Sequence, residues 1–408
     1  MQLSNPEISV GTGASAARSI NIARAFRDFG DGFVTVLLPV ALVARGHSTV
    51  EIGVLATTAL LGSALTTLGV GWAGARHDPR LLLLIYSGVM AATGLLLAVT
   101  GNFPALLAIA FFGTVNPTAG NVSPFVPLEH AVLARALGEK GRTHGFANYA
   151  LFGALAAAAG ALAAGSPDLL AHIGIARETA LSAMFVLYAL LGLAAGVTYR
   201  LVPPFAPSVD GKPASALGPS RTIVYKLAGL FSLDAFAGGL AVQSLLALWL
   251  FQKFGLSLWA AGLFFFWAGV LSAFSLPVAA WLAKHIGLIN TMVWTHIPSS
   301  LFMILAAVSP RLDVALGLLL ARFALSQMDV PTRSSYVMAV VTPPERAAAA
   351  SLTNVPRSLA SAAGPAIAGL LFTGAFPALP LILCGVLKIV YDLALLWTFR
   401  GVKPPEEA

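Results

Sequence analysis

The sequence predicts an all-α membrane protein: twelve transmembrane helices in two pseudo-symmetric six-helix bundles. Three observations carry that expectation. Of 408 residues, 58% are hydrophobic and only 10% are charged, where soluble domains sit near about 45–50% and about 25%. With a mean hydropathy of +0.84, an ordinary soluble enzyme, a disordered chain and a collagen-like repeat are all excluded. The chain also divides into twelve apolar runs, each near the ~20 residues that cross a bilayer as a helix. Third, its second half repeats features of its first.

In order, the predicted spans are 22–44, 51–73, 81–100, 105–128, 145–166, 178–202, 222–251, 257–283, 287–308, 313–341, 348–373 and 376–399. Span 1 follows a polar, Gly/Ser/Ala-rich start, Met1 to Ser19, without the apolar core of a cleavable signal peptide, so span 1 is expected to insert uncleaved. Spans 1 and 2 are separated at Arg45, spans 2 and 3 at Arg76 and Arg80. Span 4 carries Pro117, Pro124 and Pro127, expected to kink it, and is followed by Arg135, Lys140 and Arg142. Arg177 separates spans 5 and 6, and Arg200 closes span 6. Residues 203–220, PPFAPSVDGKPASALGPS, form a Pro/Gly/Ser-rich linker. The predicted domains are therefore 1–202, the linker 203–220, and 221–408. Spans 7 to 12 are set off by Lys253, Lys284, Arg311, Arg346 and, after the last, Arg400; Pro331 interrupts span 10.

With the N-terminus taken as cytoplasmic, sixteen Lys and Arg collect on the cytoplasmic side and four on the other. That asymmetry predicts cytoplasmic termini and residence in the cytoplasmic (inner) membrane. Gly46, Ser48 and Gly53 match Gly255, Ser257 and Gly262 at an offset of 209. Arg142, Gly160 and Gly165 match Arg346, Gly364 and Gly369 at an offset of 204. Their common order predicts two parallel six-helix repeats.

The net charge of +7 comes from scattered loop residues, not a basic cluster interleaved with aromatics, so no nucleic-acid partner is expected. The single cysteine, Cys384, allows no intramolecular disulfide and reads as a small buried residue. Paired His, Met or Cys ligands are missing, so no metal site is expected. No phosphate-binding loop or nucleophile motif occurs, so neither a cofactor nor an enzymatic activity is expected.

The loop after span 2, Gly71-Trp-Ala-Gly-Ala-Arg76-His-Asp-Pro-Arg80, resembles the G-x-L-A-D-R-x-G-R-R signature of the major facilitator superfamily at Gly71, Arg76 and Arg80. Ala75 stands where the family has aspartate, and Asp78 where it has glycine. In the second half, Leu282, Ala283 and Gly287 fit, with Lys284 in place of the acid. The resemblance implies two bundles rocking about a central cavity lined by helices 1, 4, 7 and 10, with 71–80 as a gating loop. Helix 5 reads Gly160-Ala-Leu-Ala-Ala-Gly165, without the proline of a drug-antiporter signature. The Gly-Pro form stands in helix 11, as Gly364-Pro365.

Charged and amide groups inside spans are costly and mark function. Span 1 carries Arg24, Arg27, Asp28 and Asp31; span 7 carries Asp234 and Gln243; span 10 carries Arg322, Gln327, Asp329 and Arg333; span 11 carries Asn354 and Arg357. Spacing of i,i+4 allows the pairs Arg24–Asp28, Arg27–Asp31, Asp329–Arg333 and Lys388–Asp392. Asp31, flanked by Gly30 and Gly32, and Asp28 are proton-coupling candidates, with static ion pairing as the competing role. Asp234 has no basic neighbour at i±3 or i±4 and is a third candidate. Arg27, Gln243, Arg322, Gln327, Asp329, Arg333, Asn354 and Arg357 are the substrate-cavity candidates; Arg322, Arg333 and Arg357 offer a clamp for an anion, but Asp28, Asp31, Asp234 and Asp329 nearly balance them, so neither an anion nor a cation is selected and neutral amphiphiles stay open. Glu129-His130 is expected to be a solvated loop pair, and His296 a satisfied interior histidine.

The function expected is secondary transport of a small solute by a monomer, proton-coupled and outward, with protons and lipid as the other partners. An importer or facilitator of a small anion is the competing transport role. A membrane sensor or membrane enzyme is the alternative of another class.

Overall fold

The computed structural model describes residues 10–74, 76–118, 123–204, 218–342 and 345–402. These form helices and no strand. The first half comprises α1 (Val10–Ala44), α2 (Thr49–Gly74), α3 (Pro79–Val99), α4 (Phe103–Phe112), α5 (Phe125–Ala136), α6 (Gly138–Ala163), α7 (Ser166–His172) and α8 (Arg177–Tyr199). The second comprises α9 (Arg221–Gly239), α10 (Gln243–Phe254), α11 (Leu258–Ile286), α12 (Leu288–Val308), α13 (Leu312–Ser326), α14 (Asp329–Val340), α15 (Arg346–Phe372) and α16 (Leu379–Phe399). Most of the linker, 205–217, and Ala75 of the loop signature lie outside the described residues.

Among the described residues ten segments are long and apolar enough to cross a membrane. The other two predicted spans fall outside that group for physical reasons. Span 1, within α1, carries charges near its middle. Span 4 is not the continuous helix expected over 105–128. It stops at Phe112 and resumes at Phe125, running on to Ala136. Between them Gly113 turns extended and Asn116-Pro117 follows, so the helix cannot propagate.

Two further spans are broken where continuous helices were expected. Span 7 breaks after Gly239, whose backbone lies so close to Ser361 and Gly364 of α15 that a Cβ would collide there. Span 10 breaks at Gln327, four residues before Pro331, which cannot donate to the helix ladder. Spans 4, 7 and 10 are three of the four spans that the family resemblance assigns to the central cavity.

The repeated residues have structural reasons. Gly46 and Gly255 both take positive φ, 86° and 63°, ending spans 1 and 7. Ser48 and Ser257 then cap the next helices: Ser48 and Glu51 form a reciprocal capping box, and the Ser257 hydroxyl accepts from the Ala260 N–H. Gly53 packs on Gly369 and Pro365, and Gly262 on Ala161 and Leu162 near Gly165. These are equivalent crossings between the halves. Gly160 meets Phe29, and Gly364 meets Gly239, at equivalent crossings within each half.

The halves meet along α2–α15 and α6–α11. Among the described residues four hydrogen bonds cross between them: Ser244 N–H to Pro117 O at 3.2 Å, Gln252 to Thr49 at 2.9 Å, Trp259 N–H to Asp168 at 3.0 Å, and Ala366 N–H to Thr57 at 2.9 Å. One continuous apolar core, from Phe33 to Cys384, joins both halves at this end. Toward the termini the core divides. One cluster, Ala17 to Val202, belongs to the first half, and another, Val224 to Phe399, to the second. The molecule is sealed away from its termini and parted toward them.

Candidate transport site

Each half buries a charged cluster on the inner side of its broken helices. In the first half, Arg27 is 2% exposed and Glu129 is fully buried. The Arg27 Nη2 donates to Glu129 at 2.6 Å and its Nε to the Tyr199 hydroxyl at 3.0 Å. Tyr149 and Tyr199 both donate to Glu129, at 2.6 and 2.5 Å. Glu129 is thus a buried hub, not the solvated loop residue expected, because α5 continues span 4 inward past the predicted end. His130 packs its ring edge-on against Phe146 and Tyr149. The repeat could have exposed Glu129, since it stands 204 residues before Arg333, the offset that relates Gly160 to Gly364.

Arg24 and Asp28 form the expected i,i+4 pair at 2.9 Å. The expected Arg27–Asp31 pair does not form, since Glu129 takes the guanidinium. Among the described residues no basic side chain lies within 4.0 Å of the Asp31 carboxylate, which accepts instead from the Tyr188 hydroxyl at 3.1 Å. The same hydroxyl reaches Thr114 O, and the Thr35 hydroxyl donates to Asn116 O at 2.8 Å. Asp31 therefore sits against the break in span 4, where its freed carbonyls find donors. Gly32 gives α1 its close approach to Ala157 of α6, and Gly30 makes room for the Tyr188 ring.

In the second half, Asp234 is not the unpaired carboxylate expected. Lys388 binds it at 2.6 Å and Arg333 at 3.1 Å. Arg333 also makes its expected contact with Asp329, at 3.0 Å. The expected Lys388–Asp392 pair is absent. Asp392 meets His296 Nδ1 at 3.1 Å, and Lys388 turns to the cavity side, 3.3 Å from His296 Nε2. His296 is therefore interior and partnered, as expected. Arg27 and Asp234 are 207 residues apart, and Glu129 and Arg333 are 204 apart. The repeats thus place equivalent ion pairs of opposite polarity, basic on the first helix in one half and acidic in the other.

Between the halves lies a cavity with two adjoining lobes of about 230 and 290 Å³, both bordered by Thr118, Gln243, Phe323 and Gln327. Asp234, His296, Arg322, Arg357 and Lys388 line the first lobe. Arg24 and Asp28 reach the second, whose other walls are mainly alanines of α6 and apolar residues of α11. Among the substrate candidates, Gln243, Arg322, Gln327 and Arg357 line the cavity. Arg27, Asp329 and Arg333 are buried behind it in ion pairs, so Arg333 is not available to an anion clamp. Asn354 is exposed on α15 and lines neither lobe. In the loop signature, Gly71 lies within α2, Arg76 is exposed, and the Arg80 guanidinium donates to Arg200 O at 2.7 Å, joining the loop to the end of α8.

Among the described residues no group of three or more His, Cys, Asp or Glu is arranged to hold a metal. Cys384 is buried.

A family model described as Major Facilitator Superfamily matches residues 20–326. An uncharacterized membrane protein of Saccharomyces cerevisiae, YJR124C, is 24% identical, with 91% of each chain covered. A point mutant of the nucleoside transporter NupG superposes with a TM-score of 0.77 at 13% identity, covering 94% of this chain and 100% of that one. A bacterial homologue of the human lysosomal transporter Spinster, inward-facing and occupied, gives 0.74 at 14% identity, covering 95% and 97%.

Proposed function

The chain belongs to the Major Facilitator Superfamily, a transporter family and not an enzyme family, and we propose that it is a proton-coupled secondary transporter of a small solute. Asp31 carries this reading. It is a carboxylate 5% exposed, without a basic partner among the described residues, set against the break in span 4. An ionised carboxylate there is costly, and taking up a proton removes that cost. Taking the proton up with the seal open and losing it with the seal closed would couple inward proton movement to the rocking. Asp28 and Asp234 are each held by basic side chains, so their role in this reading is to balance charge.

Both termini are read as cytoplasmic in the cytoplasmic membrane, supported by the sixteen-to-four bias of basic residues. The seal then lies on the outer side, and the cavity takes solute from the cytoplasm. Export in exchange for protons is the direction proposed, by alternating access between this state and one opened at the seal. The 71–80 loop, tied to α8 through Arg80, would move with the first bundle.

The test is flux in proteoliposomes under an imposed pH gradient, with a pooled set of cationic, anionic and neutral solutes. Gradient-driven flux in the parent that becomes indifferent to pH in Asp31→Asn is the expected result. Flux of the same gradient dependence in Asp31→Asn would overturn the proton assignment.

A further inference from the structure

We propose that the cavity binds an amphiphilic organic anion, its charged head on Arg322 and Arg357 and its apolar body against the α6–α11 wall. This rests on the transporter reading and names its substrate class. The charges around the first lobe are unequal in kind. Lys388 and Arg333 are neutralised by Asp234 and Asp329 at 2.6 to 3.1 Å. Arg322 and Arg357 are not. Among the described residues, neither guanidinium has a carboxylate within 4.0 Å. The Arg322 guanidinium lies 5.1 Å from the centre of the Phe323 ring, and among the described residues the buried Nε of Arg357 has no hydrogen-bond partner.

Two uncompensated guanidiniums in the membrane interior are costly. An anion between α13 and α15 would offset that cost and satisfy their donors. Guanidinium forks suit the planar or tetrahedral oxygens of carboxylate, sulfonate or phosphate. Gln243, Gln327 and Ser361 add neutral polar groups around the head. The second lobe opens off the same four bordering residues and differs in character. Ala154, Ala157, Ala158, Phe265, Ala268 and Leu276 make most of its wall, and the charges at its edge, Arg24 and Asp28, are paired with each other at 2.9 Å. Small residues leave width there for a flat or branched apolar group, and apolar burial supplies affinity without charge. A small hydrophilic anion would fill only the first lobe, and a cation would face two arginines.

The experiment is calorimetric titration of the purified full-length protein with 2-naphthoate, its neutral amide, its aminomethyl cation, and acetate. Expected is saturable binding of 2-naphthoate, at least tenfold tighter than the amide or acetate, and none of the cation. Arg322→Gln and Arg357→Gln should each weaken 2-naphthoate by about tenfold or more, as loss of a charge-assisted hydrogen bond does. Both substitutions should raise the thermal unfolding midpoint, because each removes an uncompensated charge from the membrane interior, and so misfolding is separable from lost binding. A lysophosphatidate arm separates the sources. Tighter binding of that lipid would assign the anion to the bilayer, and tighter binding of 2-naphthoate to a soluble solute. Equal binding of 2-naphthoate and its amide, or unchanged 2-naphthoate binding in both variants, would overturn the proposal. Binding is read without flux, so 2-naphthoate that binds but is never transported counts against the transporter reading alone. Flux of a neutral solute without 2-naphthoate binding counts against the anion alone.

Discussion

At the residue scale, the pairs that could be read from spacing are those inside one helix. Arg24–Asp28 and Asp329–Arg333 form because an α-helix places i and i+4 on one face. Arg27 and Lys388 also have i+4 acids, yet both choose partners on other helices. Periodicity holds no distance between helices, so it could not rank Glu129 against Asp31. Glu129 takes three donors within 2.6 Å and is fully buried. Removing it leaves the Arg27 guanidinium against Phe125 and Tyr199, with the Asp28 carboxylate, already paired with Arg24, 4.0 Å away. Glu129→Ala is therefore expected to destabilise by about 3–5 kcal/mol, measured by unfolding in detergent. Adding Arg27→Met should recover a large part of that loss, which a double-mutant cycle would quantify. A double variant no more stable than Glu129→Ala would contradict the pairing.

At the element scale, the order of the apolar spans was legible, because a long apolar run has few alternatives. The breaks in spans 4, 7 and 10 were less so. Proline marks two of them, but the Gly239 break depends on contact with α15, which no local pattern encodes. The glycines of the repeat announced a correspondence without saying what it was for. In the fold they are positions where one backbone leans on another across the two halves. A Cβ on Gly369 would meet Thr49 O and the Gly53 backbone. Gly369→Val should therefore hold the seal apart. A Thr57→Cys reporter in a Cys384→Ser background should become reactive to a membrane-impermeant maleimide in that variant, while the glycine parent stays protected. Equal protection in both would show that the crossing tolerates a side chain and does not control the seal.

At the scale of the whole molecule, the second half is closed near the linker by Glu345. Its carboxylate accepts from the Gly218 N–H, from the Ser220 hydroxyl at 2.6 Å and from the Thr342 hydroxyl at 2.5 Å. Those donors hold its pKa down to about 2, from an ordinary 4.5. The depressed value means that its contribution is complete above pH 4.5 and is lost as pH falls toward 2. Glu345→Gln should lower the unfolding midpoint at pH 7, with the gap to the parent shrinking at pH 3. A gap independent of pH would remove the ionised carboxylate from the explanation. By itself the sequence determined the class, the helix order, the two-fold repeat and the spans that carry charge, because hydropathy, glycine and proline act locally along the chain. Only the tertiary structure decided which charges are cancelled and which face the cavity. Asp234 became a counter-ion, Asp31 was left without one, and two arginines remained uncompensated, because charge balance in a membrane interior is set by which helices touch.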